Sequence, residues 1–354
     1  MRFISEQIHL PTLGLTLALG LAGGLIGQAI HLPLPMLLGP LLAVAAAALG
    51  RWKPLGHPVQ FPMMLRMIFI PIIGVAIGGT FTPAILDETR GWWPSLLAIA
   101  VFIPVAHIIS FRAVRATGQI DPVTAFFGTA PGGLIEAVQM GEEMGGDTAM
   151  LTMLQFLRLI VTIVCVPIFF TVMTGHAVGS AGGATLTRTA MMLADLPWLI
   201  GAGVVGGLLG WRLKLPGGMV TGPILVSAIV HLTGLAQGSP PNWLVNATQL
   251  VIGTSLGVRF AGMPLGRFWL AIRLAGLSTA LSITLAIICA FSLAGFVGEP
   301  PAAVFLAFAP GGLTEMSLIA LSLQMSIVYV TAHHAARILL AVAVARLLAG
   351  KLAR

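Results

Sequence analysis

Charge is what this chain has least of. Lys, Arg, Asp and Glu make up 8% of its 354 residues, against about 25% in an ordinary soluble domain. With 57% hydrophobic residues the chain cannot cover its own surface in water. Apolar runs recur from end to end, so lipid is the expected solvent for most of it. Cysteine is almost missing as well. Cys165 and Cys289 both lie inside apolar runs, which argues against a disulfide or metal framework and makes them expected core residues. No nucleotide-binding loop, nucleophile triad or zinc spacing occurs. His31, His107 and His231 are scattered without ligand spacing, so no metal or other cofactor is expected and copper oxidation chemistry has no site. The 18 Lys and Arg exceed the 11 Asp and Glu, for a formal net charge of +7. They stand singly at the ends of apolar runs, as cytoplasmic anchors do. No basic patch is present, which excludes nucleic acid and leaves the bilayer as the partner.

Twelve apolar segments are present: 12–30, 34–50, 61–80, 94–111, 122–141, 148–174, 191–211, 217–234, 243–260, 268–296, 301–322 and 326–349. The first follows Arg2 but is too long for a signal-peptide core and leads straight into the next, so it reads as a retained helix. Ten look like full spans. The other two, 122–141 and 301–322, are each interrupted by Pro-Gly-Gly.

An internal repeat organises these segments. Gly23, Gly24, Gly27, Pro33, Gly39 and Pro40 recur at constant spacing as Gly206, Gly207, Gly210, Pro216, Gly222 and Pro223. Gly74, Gly78 and Phe81 recur as Gly253, Gly257 and Phe260. Ala130-Pro131-Gly132-Gly133-Leu134-Ile135-Glu136 recurs as Ala309-Pro310-Gly311-Gly312-Leu313-Thr314-Glu315, and Arg158 recurs as Arg337 in the same register. Composition alone does not match Pro, Glu and Arg in one register. The expected division is a first repeat over 1–174, a Gly/Ser/Thr-rich linker over 175–190 and a second repeat over 191–354.

Two Gly-rich first helices, each followed by Leu-Pro-x-x-x-x-x-Gly-Pro and later by Ala-Pro-Gly-Gly-x-x-Glu, resemble the bacterial membrane AbrB family over nearly the whole chain. The resemblance implies a duplicated fold in the bacterial inner membrane and a link to regulation of gene expression. It shares only a name with the small soluble AbrB transcription factors. The family also carries an ammonia monooxygenase label, which the scattered histidines do not support, so no enzyme is expected.

Charge then orients the repeats. If all twelve segments crossed, the halves would be parallel. Basic loops follow segments two and four in the first half (Arg51 and Lys53, Arg112 and Arg115) but segments one and three in the second (Arg212 and Lys214, Arg259 and Arg267). That flip contradicts a parallel arrangement. If the two Pro-Gly-Gly segments enter and leave on one side, five spans remain in each half and the second half is inverted. The N-terminus, 51–60, 112–121, 212–216, 259–268 and the C-terminal Lys351 and Arg354 then lie inside, Asp87, Glu88 and Glu299 lie outside, and Arg188 is the exception. Glu142, Glu143 and Asp147 would also lie inside, but acidic residues count little here. All seven tryptophans sit at expected span ends, as an aromatic belt would. The expectation is an all-α integral membrane protein, an inverted repeat of 5+5 transmembrane helices with two re-entrant or broken-helix hairpins.

Non-helical backbone at membrane depth survives only inside protein or beside water. Arms of about 12 to 15 Å reach half the bilayer, so Pro131, Gly132 and Gly133, and Pro310, Gly311 and Gly312, are expected tips near the midplane. The arms after them begin with N–H groups that favour a negative charge. Glu136 and Glu315 stand in those first turns, either as caps of their own helices or as protonatable carboxylates in a site. Arg158 and Arg337 lie mid-way along the following helices. Each needs a partner, expected to be a motif Glu, or else an anionic ligand. His333 and His334, one turn before Arg337 where the first half has Leu154 and Gln155, are proton-carrier candidates or plain packing. Gly20/Gly24, Gly23/Gly27, Gly74/Gly78, Gly206/Gly210 and Gly253/Gly257 fit close helix contact or a homodimer face. Discontinuous helices at the midplane are how several secondary transporters build sites. The leading expectation is a secondary transporter of a small organic anion using Glu136, Glu315, Arg158 and Arg337. Coupling would be to protons, or to sodium through backbone carbonyls. A membrane regulator without catalytic activity and a passive channel are the alternatives.

Overall fold

The computed structural model describes residues 9–81, 89–174, 191–213, 215, 217–323 and 325–352. The expectations for Arg2, Asp87, Glu88, Arg188, the 175–190 linker, Lys214, Pro216 and Arg354 concern residues outside that set. Among the described residues the chain is an all-α membrane protein with fourteen α-helices. In chain order α1 (Leu10–Ala29), α2 (Pro35–Leu49), α3 (Met63–Gly78), α4 (Trp93–Ala116), α5 (Pro122–Gly128), α6 (Leu134–Glu143) and α7 (Thr148–Thr174) come first. They are followed by α8 (Leu196–Arg212), α9 (Gly218–Leu232), α10 (Asn242–Val258), α11 (Leu265–Val297), α12 (Pro301–Phe308), α13 (Leu313–Ser322) and α14 (Ile327–Leu352). Proline sets many of the starts: Pro35, Pro94, Pro122, Pro197 and Pro301 occupy the first or second helical position, where no N–H is needed.

Five helices, α1, α4, α7, α11 and α14, are long and apolar enough to cross a bilayer. The other five of the ten expected spans are shorter apolar helices. Helices α2, α3, α8, α9 and α10 have 15, 16, 17, 15 and 17 residues and reach about 22–26 Å, short of a hydrocarbon core of about 30 Å. Backbone turns cut them short: Leu34 (φ 44°) precedes α2 and Gly217 (φ 58°) precedes α9 in the left-handed region, and Gly50 ends α2. The Cys165 expectation is corrected. It faces outward from α7, among side chains such as Phe169 and Val172 that lipid would cover. Trp92 is not in an aromatic belt but buried, with its ring edge-on to Tyr329 at 5.3 Å.

The helices pack as two groups. One holds the first three helices of each half, α1, α2, α3, α8, α9 and α10; the other holds α4–α7 and α11–α14. Pairings correspond when α1–α7 are exchanged for α8–α14: α1 on α2 matches α8 on α9, α2 on α10 matches α9 on α3, and α7 on α11 matches α14 on α4. Glycine makes the tightest crossings. Gly23 meets Gly39 and Gly206 meets Gly222, where a Cβ would enter the facing backbone. Gly74 and Gly78 lie on α9, and Gly253 and Gly257 on α2. These Gly-x-x-x-Gly pairs are therefore occupied inside the chain, and a homodimer would need another face. Between the groups, α13 packs on α3. Beside that contact, Arg259 lies over the Phe156 ring (5.4 Å) and the Phe156 and Phe260 rings are 5.5 Å apart.

The second group holds the two motif segments, each folded as a hairpin. Asp147 N–H, just before α7, donates to Thr124 Oγ1 in the first turn of α5 at 2.8 Å. The chain thus leaves the first hairpin where it entered; a crossing helix would separate those residues by about 30 Å. Asp147 also pairs with Arg267 at the start of α11 (2.6 Å). The second hairpin has its base at the other end of α4. Gly91 lies against the Val297 carbonyl at the end of α11, and Ser95 Oγ is 2.8 Å from His333 Nε2 near the start of α14. The two hairpins enter from opposite ends of α4.

Candidate functional site

Each hairpin begins with a short helix whose last carbonyls have no helical partner and carry the negative end of its dipole. The long helix behind supplies the donors. Behind α5, Gln155 Nε2 donates to the Phe127 carbonyl (2.5 Å) and the Ala130 carbonyl (3.2 Å). Arg158 donates to the Ala130 carbonyl and to Gln155 Oε1. Behind α12, His334 Nε2 donates to the Leu306 carbonyl (2.8 Å), and Arg337 donates to the carbonyls of Ala309 and Gly311. Gln155 and His334 occupy the same register position and meet equivalent carbonyls, so two different side chains perform one task. His333 binds elsewhere. Its Nδ1 bonds the Tyr329 carbonyl (2.8 Å), and its Nε2 is 2.8 Å from Ser95 Oγ, whose hydroxyl also reaches the Trp92 carbonyl (2.9 Å). Both histidines therefore tie α14 to its neighbours.

The expected Arg–Glu pairing does not form. Arg158 and Arg337 are 5% and 2% exposed, yet their acceptors are carbonyl oxygens. Chain order explains this. The orphan carbonyls end the first arm and lie directly against α7 and α14, whereas the glutamates open the second arm, beyond the turn.

Those second arms start from glycine. Gly133 caps α6 with φ 65°, a conformation open to it because it lacks a Cβ. A Cβ there would lie 2.6 Å from Val342 Cγ2, and one on Gly132 would lie 3.0 Å from the Ala341 Cβ. The first tip is thus pressed onto α14 just past Arg337. Pro131, Pro310 and Gly311 are buried in the two turns. The glutamates are not equivalent. Glu136 is exposed. Glu315 is 8% exposed. Its carboxylate folds back over Gly312, onto its own backbone N–H at the start of α13.

One residue of this region drew no attention in the sequence. Arg66, in the first turn of α3, is the cation whose field acts on Glu315 across the boundary between the two helix groups. The two are not in direct contact; among the described residues the ion pair formed is Arg267–Asp147. Arg66 Nε is buried without a hydrogen-bond partner, and Arg259 lies close enough to Arg66 to repel it. The sequence held a signal: a lone Arg within an apolar segment, where the second half has Val245 in the same register. Outside the membrane-spanning helices, Asp147 is held below the usual carboxylate range, first by the Met150 N–H and then by Arg267.

The hairpin region therefore holds the buried Arg158 and Arg337 on its carbonyls, and the half-buried Arg66 as the cation nearest the buried Glu315. Among the described residues no group of three or more His, Cys, Asp or Glu could hold a metal ion. A mostly apolar groove of about 760 Å³ lies between α3, α8 and the start of α10, lined by residues such as Pro71, Val75, Gly203, Trp211 and Trp243. None of its lining residues belongs to either hairpin.

Fold and site together define a polytopic helical membrane protein with two opposed hairpins, each tied at its first arm by a buried arginine. The chain belongs to the family described as transition state regulatory protein AbrB, whose profile matches residues 53–353. It is 25% identical to the "Uncharacterized protein YhjN" of Bacillus subtilis (strain 168), across 92% of this chain and 89% of that protein. It is 26% identical to the "Putative regulator AbrB" of Escherichia coli (strain K12), across 82% of each.

Proposed function

We propose that the protein is a secondary transporter of a small organic anion in the bacterial inner membrane. Its two repeats, 1–174 and 191–354, would be inverted about a midplane site with the linker 175–190 between them, and both termini would be cytoplasmic. The observation that carries this reading is a charge imbalance: two buried guanidinium groups, Arg158 and Arg337, and the half-buried Arg66, with Glu315 as the buried carboxylate among the hairpin residues. Carbonyl oxygens accept from Arg158 and Arg337 but bring no net charge, and the buried Nε of Arg337 has no partner, so a mobile anion would complete the site. The tip residues Pro131–Gly133 and Pro310–Gly312, with the first N–H groups of α6 and α13, are where it would bind. The group holding both hairpins would move against the group of α1–α3 and α8–α10 to change the side of access.

Purified protein in liposomes, given a proton or sodium gradient and a panel of labelled small carboxylates, is the test. Uptake of at least one, reduced when Glu136→Gln and Glu315→Gln are combined, is the expected result. No gradient-driven uptake, or uptake indifferent to both changes, would sink the proposal. The family description and the name of the Escherichia coli relative favour a second reading, a membrane regulator without catalytic activity. Cross-linking that captured a stoichiometric cytoplasmic partner would support it.

A further inference from the structure

We infer that Glu315 is a resident anion, occupying the place a solute carboxylate would take, so that each anion enters only with one proton. This rests on the anion-transport reading. The start of α13 presents free N–H groups and the positive end of a ten-residue helix, and Arg66 adds a full positive charge from α3. Those are the two features an incoming carboxylate would seek. Both are already answered by the Glu315 side chain, which turns back over Gly312 instead of extending away. While Glu315 is ionised, a second carboxylate meets a like charge in a buried space. Once Glu315 takes a proton, the N–H groups and Arg66, whose buried Nε has no partner, are left to the solute. One proton in and one carboxylate in preserve the charge of the site.

No other group takes this role. Helix α12 carries no ionisable residue. On α14, His333, His334 and Arg337 bond to Ser95 and to backbone carbonyls, leaving His334 Nδ1 and Arg337 Nε without partners, and Tyr329 lies edge-on to Trp92. On α7, Arg158 is bound to Ala130 and Cys165 faces outward. On α3, Arg66 is the ionisable residue, with Arg259 beside it. The first hairpin is not a second copy of the device, because Glu136 is exposed and Val245 stands where an arginine would be needed. The coupling is therefore one proton per anion, not two.

Binding of acetate, succinate and citrate to the purified protein across pH 5.5–8 tests this, with proton uptake counted by an internal pH dye in liposomes. For the wild type, affinity for the binding carboxylate should fall about tenfold per pH unit above the pKa of Glu315, with one proton carried per anion. Glu315→Gln should bind with little pH dependence and carry no proton. Glu136→Gln should keep the count of one whatever its rate. If Glu315→Gln keeps the wild-type pH dependence, or the wild type carries no proton, the inference is overturned while anion transport stands. Failure of the wild type to bind any of the three at any pH overturns both. The wild-type proton count does not depend on a variant folding.

Discussion

Arg158 and Arg337 show how a buried charge is kept without a counter-charge. Each ties the frayed end of a half-length helix to the long helix behind it, and the planar fork lets Arg337 reach two carbonyls at once. Lysine keeps the charge and loses the fork, so Arg→Lys isolates geometry. Arg337→Lys should strand one carbonyl and cost about 1–3 kcal/mol. Arg158→Lys should cost less, because Gln155 also serves the Ala130 carbonyl. Thermal unfolding in detergent would decide, and equal losses would contradict the assignment. Sequence alone placed both arginines in register and at mid-depth. It did not identify their partners, because an orphan carbonyl leaves no mark in a sequence. Arg66 was visible as a lone charge in an apolar run, but what it faces comes from α13, more than half the chain away.

The element that matters most is the hairpin tip. Pro-Gly-Gly marked both tips correctly, since Pro ends a helix and Gly permits the turn. The choice between a re-entrant hairpin and a crossing broken helix was beyond local sequence. It rests on Thr124 meeting Asp147. Two glycines with the same backbone angle test the packing of the first tip. Gly118 and Gly133 both have φ 65°, but only Gly133 has a neighbour, Val342, in the way of a Cβ. Gly118→Ala should lose about 1–2 kcal/mol for the left-handed conformation alone. Gly133→Ala should lose more, and Val342→Ala in the same chain should recover part of the excess. A Gly133→Ala loss matching that of Gly118→Ala would show the tip to be free of α14.

For the whole molecule the division into two helix groups is the decisive feature. Contacts within each group are extensive, and α13 on α3 is the main helix contact between them. If access alternates by movement of one group against the other, a link across the boundary should stop transport and a link within a group should not. In a background with Cys165→Ser and Cys289→Ser, a short bifunctional maleimide across Phe156→Cys and Phe260→Cys should abolish uptake. The same reagent across Phe102→Cys and Phe308→Cys, whose rings lie 5.2 Å apart within the second group, should spare it. Uptake that survives the first link would rule out movement at this boundary.

The sequence by itself determined the solvent, the repeated motifs and the two breaks in the backbone. These follow from composition, from residues matched in register, and from the covalent limits of Pro and Gly. Tertiary structure alone decided that the motif segments fold back as hairpins, that the arginines bind carbonyls, and that one repeated glutamate is buried while its twin is exposed. The reason is physical. Repeats with the same local sequence meet different neighbours, Arg66 near Glu315 and no equivalent arginine for Glu136, and only packing brings such distant residues together.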